Sequence, residues 1–160
     1  MKFFIKIAFC SLFVTINIIN AQELKSPNGL LSMQFTLEEN GVPIYKLSYK
    51  DMAVVKSSSL GLELKNETKS LLDDFVIKNQ KRSTFNKTWQ PVWGEQHSIV
   101  NHYNELAVTL LQKETNRTMV MKFRMFDEGL GFRYEFPVQD NLVYFTIKEE
   151  RTQFAMTGDH

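Results

Sequence analysis

The strongest constraint on the fold is the alternation of apolar and polar residues, which recurs in short runs along the chain. In residues 31–37, Leu31, Met33 and Phe35 alternate with polar residues. Successive side chains of a β-strand point to opposite faces, so the pattern predicts a strand with one buried face. Six more runs place apolar residues at every second position: Tyr45, Leu47 and Tyr49; Leu60, Leu62 and Leu64; Leu106, Val108 and Leu110; Met119, Met121, Phe123 and Met125; Phe132, Tyr134 and Phe136; and Val143, Phe145 and Ile147.

Turn-forming residues separate these runs. Glycine and asparagine adopt the positive φ that tight turns require, and they recur in segments 27–29, 39–41, 114–116, 127–129 and 139–141. Two sheets that each have one apolar face bury those faces by packing against each other. The sequence therefore predicts an all-β fold, a β-sandwich of antiparallel strands. For residues 66–80, the sequence is compatible with either a short helix or a strand with a bulge.

The first 21 residues have the pattern of a secretory signal peptide. Lys2 and Lys6 precede and enter a nearly apolar stretch that runs to Ile19, and Ala21 offers a small residue before the cleavage point. A membrane anchor would need about 20 apolar residues, and several polar residues interrupt this stretch. We therefore expect an exported protein, periplasmic or secreted, whose mature part spans residues 22–160 without stable membrane insertion.

Charge and cysteine content exclude several function classes. Without Lys2 and Lys6, 17 basic residues remain against 18 acidic ones, a formal net charge of −1. A near-neutral chain lacks the basic surface that nucleic acids require. Cys10 is the only cysteine and lies in the segment predicted to be removed. A lipoprotein anchored through Cys10 is an alternative, but the apolar run before it is short. A mature chain without thiols has no disulfide, cysteine-ligated metal or cysteine nucleophile.

The densest group of polar and aromatic residues lies in segments 88–95 and 101–106. These segments hold both tryptophans and one of the three histidines, and His97 lies between them. Aromatic rings stack on sugars while carboxylates and amides bind the hydroxyl groups, so the composition suits a carbohydrate pocket. The candidate pocket residues are Trp93, Glu95, His102, Asn104 and Glu105. From the residues alone, we favour the plainer interpretation that Trp89 and Trp93 are core anchors.

Two further interpretations of this region are weak. Glu95 and Glu105 offer a carboxylate pair for acid–base chemistry, but a chain with 18 acidic residues contains many such pairs. His97 and His102 match no spacing typical of a metal site, so we predict no metal ligand. The sequence also contains no phosphate loop, dinucleotide-binding glycine pattern, nucleophile elbow or HExxH motif.

Several long phrases resemble the N-terminal domain of glycoside hydrolase family 97. Residues 88–95 (TWQPVWGE), 101–106 (NHYNEL) and 123–137 (FRMFDEGLGFRYEFP) are similar to signatures of that domain. Shorter matches lie at residues 26–29, 60–64 and 153–160. The resemblance covers nearly all of residues 22–160 except 65–83. Within the family, the chain is most similar to the α-glucosidase of a starch-utilisation system.

The resemblance implies a fold and a role. The domain would be a β-super-sandwich, incomplete at its C-terminal end here, that precedes a (β/α)8 catalytic barrel in the same polypeptide. The whole enzyme would hydrolyse terminal α-glucosides of starch oligosaccharides, or α-galactosides in other members, and its inverting branch would use calcium.

None of the family's catalytic or calcium-binding residues maps to this chain, so we expect no catalysis and no complete calcium site. The domain would support the barrel, and residues 93–105 would wall its pocket. The alternatives are an independent carbohydrate-binding module and a structural interaction domain.

Overall fold

The computed structural model describes residues 21–95 and 97–158, so the predicted signal peptide lies almost wholly outside the described residues. Apart from one 3-10 turn at Glu39–Gly41, the regular structure within these ranges consists of β-strands. None of the described helices is long or apolar enough to cross a membrane. The strands are β1 Gln22–Lys25, β2 Leu31–Leu37, β3 Pro43–Tyr49, β4 Met52–Ser59, β5 Leu62–Lys65, β6 Phe75–Trp89, β7 Ile99–Gln112, β8 Thr118–Met125, β9 Leu130–Glu135 and β10 Thr146–Glu150.

The strands form two four-stranded sheets and one two-stranded sheet. Sheet A has the order β1-β2-β3-β4, sheet C has the order β6-β7-β8-β9, and β5 pairs with β10 in sheet B. All paired strands are antiparallel. Sheets A and C are meanders, because strands adjacent in the chain are also neighbours in the sheet and short connections join them. Gly29, with φ of 74°, closes the turn between β1 and β2.

Sheets A and C pack face to face around one hydrophobic core. The ring centroids of Phe35 and Phe123 are 5.5 Å apart, and those of Tyr45 and Phe132 are 5.8 Å apart. The predicted apolar faces of three strands are buried. They comprise positions 31, 33 and 35 of β2, positions 106, 108 and 110 of β7, and positions 119, 121, 123 and 125 of β8. The β-sandwich prediction is therefore confirmed.

Two predictions change at the edges of the sandwich. The apolar face predicted at Val143, Phe145 and Ile147 is wrong for its two outer residues, since Val143 is 63% and Ile147 is 47% exposed. Phe145 is half-buried and packs against Phe136, with ring centroids 4.9 Å apart. Strand β10 begins at Thr146 and pairs only with β5, so no second sheet covers that face. In the open segment 66–80, the bulged strand is correct for the last residues, where β6 has a bulge between Ile77 and Asn79.

Strands β6 and β7 extend well beyond the rest of sheet C. They pair from Phe75 with Gln112 to Trp89 with Ile99, whereas β8 pairs with β7 only from Asn104 onward. Residues 85–95 and 97–103 therefore belong to a two-stranded arm with a loop at its end. We call this arm the ribbon.

Candidate functional site

The tip of the ribbon exposes apolar side chains. Trp93 is 88% exposed and Trp89 is 51% exposed, and Val92 and Val100 are exposed beside them. The interpretation of both tryptophans as core anchors is therefore wrong. The physical reason is that β6 and β7 pair only with each other in this part of the chain, so no second layer covers either face. Contiguous exposed apolar residues are typical of a binding surface.

Aromatic stacking fixes the root of the ribbon on the outer face of sheet C. Tyr103 is buried and stacks on Phe85, with ring centroids 5.3 Å apart and an interplanar angle of 18°. Phe126 contacts the same ring at 5.2 Å. The guanidinium carbon of Arg124 lies 4.6 Å from the ring centroid of Tyr103, a cation–π contact.

A hydrogen-bonded amide fixes the root on the inner face. Asn104 donates from Nδ2 to the backbone carbonyl of Lys25 in sheet A, at 2.9 Å. Its Oδ1 accepts a hydrogen bond from Thr84 Oγ1 at 2.7 Å. The side chain therefore links β7 to β1 across the sandwich and to β6 beside it. With both faces of its root held, the ribbon has a defined direction relative to the core.

The structure distributes the five predicted pocket residues over three places. Trp93 and Glu95 lie in the loop at the tip, and His102 lies in β7 opposite Asn86. The remaining two are adjacent in β7 and therefore point to opposite faces. Asn104 faces sheet A, whereas Glu105 faces outward. The five side chains therefore do not line one common pocket in this structure. Their assignment to a substrate pocket remains a prediction.

Glu105 is engaged in an ion pair. Its Oε2 accepts a hydrogen bond from Nε of Arg124 at 2.7 Å, and the carboxylate is mostly buried. This hydrogen bond raises the pKa of Arg124 above its ordinary value. In the sequence, Arg124 lies between the apolar residues Phe123 and Met125, so alternation puts it on the polar face of that run. Alternation alone gives Arg124 no role, because its partner Glu105 belongs to a different strand.

The described residues do not offer a metal site. No three histidine, cysteine, aspartate or glutamate side chains in residues 21–95 and 97–158 converge in an arrangement that could hold a metal ion. The acidic group nearest to that description is Asp73, Asp74 and Glu114, and lysines neutralise it. Lys69 pairs with Asp73 at 3.0 Å, and Lys113 pairs with Asp74 at 3.3 Å.

The sequence model described as "Glycosyl-hydrolase 97 N-terminal" matches residues 24–160 of this chain. The chain belongs to glycoside hydrolase family 97. Solved structures of family 97 enzymes agree with the assignment. A variant of such an enzyme from Pseudoalteromonas sp. strain K8, in complex with panose, is 33% identical and has a TM-score of 0.80 over 85% of this chain. A structure from the same strain in complex with acarbose gives the same values.

The family 97 domain described here is a minor part of these enzymes. The chain covers 20% of the length of the panose complex. A β-arabinopyranosidase shares the fold, with a TM-score of 0.74 and 22% identity over 83% of this chain. Family 97 membership therefore identifies the domain, which spans about one-fifth of the length of such enzymes.

Proposed function

We propose that this chain is the N-terminal module of an exported α-glycosidase of the α-glucosidase type. The module supports the catalytic (β/α)8 barrel of the same polypeptide and forms part of the wall around its pocket. The ribbon is the observation that carries this proposal, because it holds Trp93 exposed beyond the core. Panose and acarbose in the 33% identical enzyme support an α-linked oligosaccharide as the substrate of the whole protein.

The proposed role follows from the geometry that glycoside hydrolysis requires. Two carboxyl groups must be held about 6.5–9.5 Å apart for inversion, or about 5–5.5 Å apart for retention. That spacing needs a rigid support, and in this proposal the barrel carries the carboxyl groups. The sandwich supplies stiffness through its core, and the fixed root of the ribbon brings an aromatic ring to a defined place. A ring so placed orients a sugar without taking part in the chemistry.

Complementation in trans tests this role. The purified chain is assayed on p-nitrophenyl α-glucoside and α-galactoside, with and without calcium, and we expect no turnover. Addition of a family 97 catalytic barrel as a separate polypeptide should raise the activity of that barrel. Trp93→Ala should then raise KM more than it lowers kcat, while Val138→Ala, at an exposed position outside the ribbon, should change neither.

Two results would contradict the role. Turnover by the chain alone, abolished by Glu95→Gln or Glu105→Gln, would place catalytic carboxylates in this domain. Full activity of the barrel without the chain, unchanged when the chain is added, would contradict the supporting function.

The exposure of two tryptophans in one ribbon also favours a second candidate, an independent carbohydrate-binding module. Stacking of a sugar on Trp93 would change the tryptophan fluorescence of the isolated chain. Titration with panose should then give saturable binding that Trp93→Ala abolishes, with Trp89→Ala as the matched variant at the less exposed position. The absence of any fluorescence change up to millimolar panose would exclude this candidate.

A further inference from the structure

An unusual group of like charges lies on the outer face of sheet C. Lys122 of β8 is directly opposite Arg133 of β9, and Arg124 is directly opposite Gly131. Residues at alternate positions share a face, so all four point away from the core. Like charges directly opposite each other in a sheet are destabilising. The three cations Lys122, Arg124 and Arg133 therefore need nearby negative charge to offset their repulsion.

The carboxylates on this face compensate only part of the charge. Glu135 accepts hydrogen bonds from Lys122 Nζ at 2.9 Å and from Arg133 Nε at 2.7 Å. The hydrogen bond from Lys122 is the main reason that the pKa of Glu135 is below its ordinary value. Glu105 pairs with Arg124. The two carboxylates of Glu105 and Glu135 thus pair with three cations, which leaves a net charge of +1 on this group.

Arg124 is held in place with its outer nitrogens unused. Nε donates to Glu105, and the guanidinium carbon lies 4.6 Å from the ring centroid of Tyr103. Within the described residues, Nη1 and Nη2 of Arg124 have no hydrogen-bond partner. A guanidinium fork matches the two oxygens of a carboxylate, and a fork that is already oriented loses little freedom on binding.

Gly131 leaves space beside this fork. A Cβ built on Gly131 meets no atom within 4 Å. The resulting depression has a volume of about 210 Å³, below the ~300–1,000 Å³ of pockets for drug-sized ligands. It therefore accommodates one ring. Its lining residues are Lys122, Arg124, Phe126, Gly131, Phe132 and Arg133. The ring of Phe132 packs in the core against Phe123, so Phe126 is the aromatic side chain that gives the cationic site an apolar wall. Such a wall packs against the C–H face of a sugar.

We propose that the depression over Gly131 binds a uronic acid, whose carboxylate contacts the outer nitrogens of Arg124 and whose ring packs against Phe126. This ligand differs from the neutral α-glucosides expected for the whole enzyme, and the site lies on sheet C outside the ribbon tip. The inference is therefore independent of the function proposed above.

Nuclear magnetic resonance titration of the ¹⁵N-labelled chain tests the site with three probes. Glucuronate should shift the amide signals of Gly131 and Arg124 and saturate, whereas glucose should leave them unchanged. Acetate should bind about tenfold more weakly, because it lacks the ring that packs against the apolar wall. Equal affinity for acetate and glucuronate would overturn the proposal and indicate an acidic side chain of a partner protein instead. No shift with glucuronate would also overturn it.

Variants separate the site from general charge effects. Arg124→Lys keeps the charge but removes the fork, so glucuronate affinity should fall about tenfold or more. The matched control is Arg151→Lys, because Arg151 also pairs with a glutamate, Glu63, through Nε at 3.0 Å. Affinity should be unchanged there. An equal loss in both variants would show that net charge alone attracts the ligand.

Gly131→Val tests the depression without removing any charge. Valine suits a β-strand better than glycine, and space for the side chain exists, so the fold should be retained or stabilised. The same side chain would fill the depression, so binding of glucuronate should be lost. A folded Gly131→Val chain that binds glucuronate normally would disprove the location of the site.

Discussion

Strand β7 passes through two environments, and the contrast explains how this domain is divided. From Leu106 to Gln112 every second side chain is fully buried between sheets A and C. From Ile99 to Tyr103 the same strand pairs with β6 alone, and Val100 is 64% exposed. Both halves carry apolar residues. An apolar residue in a strand is therefore buried in the sandwich only where a second sheet lies over that part of the strand.

The largest expected difference between the halves concerns core volume. Phe123 is fully buried and packs against Phe35 and Phe132. Phe123→Ala should reduce the free energy of unfolding by about 3–5 kcal/mol, because it removes apolar burial and leaves a cavity. Val100→Ala in the ribbon should cost less than about 0.5 kcal/mol. Urea denaturation measures both, and similar losses would mean that the ribbon is packed against the core.

A buried amide gives the next largest contrast. Gln112 donates from Nε2 to the carbonyls of Ser70 at 2.8 Å and Asp73 at 3.0 Å, and it is fully buried. Gln112→Ala leaves both carbonyls unpaired and should cost about 1–3 kcal/mol in urea denaturation. Gln90→Ala, at an exposed position in the ribbon, is the matched control and should be neutral. Neutral behaviour of both variants would mean that water replaces the amide at Gln112.

Asn104 lies at the boundary between the two halves of β7 and binds the ribbon root to sheet A. Asn104→Ala removes the hydrogen bond to the Lys25 carbonyl and should cost only about 0.5–1.5 kcal/mol in global stability. Amide hydrogen exchange in residues 85–103 should become faster, because the root of the ribbon is freed on its inner face. Asn86→Ala, at an exposed position within the ribbon, is the control. Unchanged exchange in Asn104→Ala would show that the aromatic root alone fixes the ribbon.

The smallest effect is expected from pH. Glu135 has a lowered pKa in the folded chain, so its ion pairs stabilise the fold above the unfolded pKa of about 4.3 and are lost as pH falls through the folded value. Glu135 is a third exposed, so the contribution should stay below about 1 kcal/mol. Unfolding of Glu135→Gln should depend less on pH below about 4 than unfolding of the unaltered chain. Identical pH profiles would contradict this.

Local pattern was sufficient for most of the sandwich. The faces of β2, β7 and β8 could be read from the sequence because strict alternation leaves one consistent way to bury them. Strands β1 and β4 were not predicted, since β1 has only four residues and β4 combines apolar residues with a serine run. The strand predicted at residues 143–147 was misplaced, because β10 begins only at Thr146 and its pairing with β5 leaves Ile147 exposed.

The sequence by itself determined the β-sandwich and the family, because both follow from local periodicity or contiguous phrases. Only the tertiary structure decided that Trp93 is exposed, that Asn104 and Glu105 serve opposite faces, and that Nη1 and Nη2 of Arg124 have no partner among the described residues. The physical reason is that burial and pairing depend on which sheets and strands become neighbours. Those contacts join residues far apart in the chain, such as Lys25 and Asn104, and no local pattern specifies them.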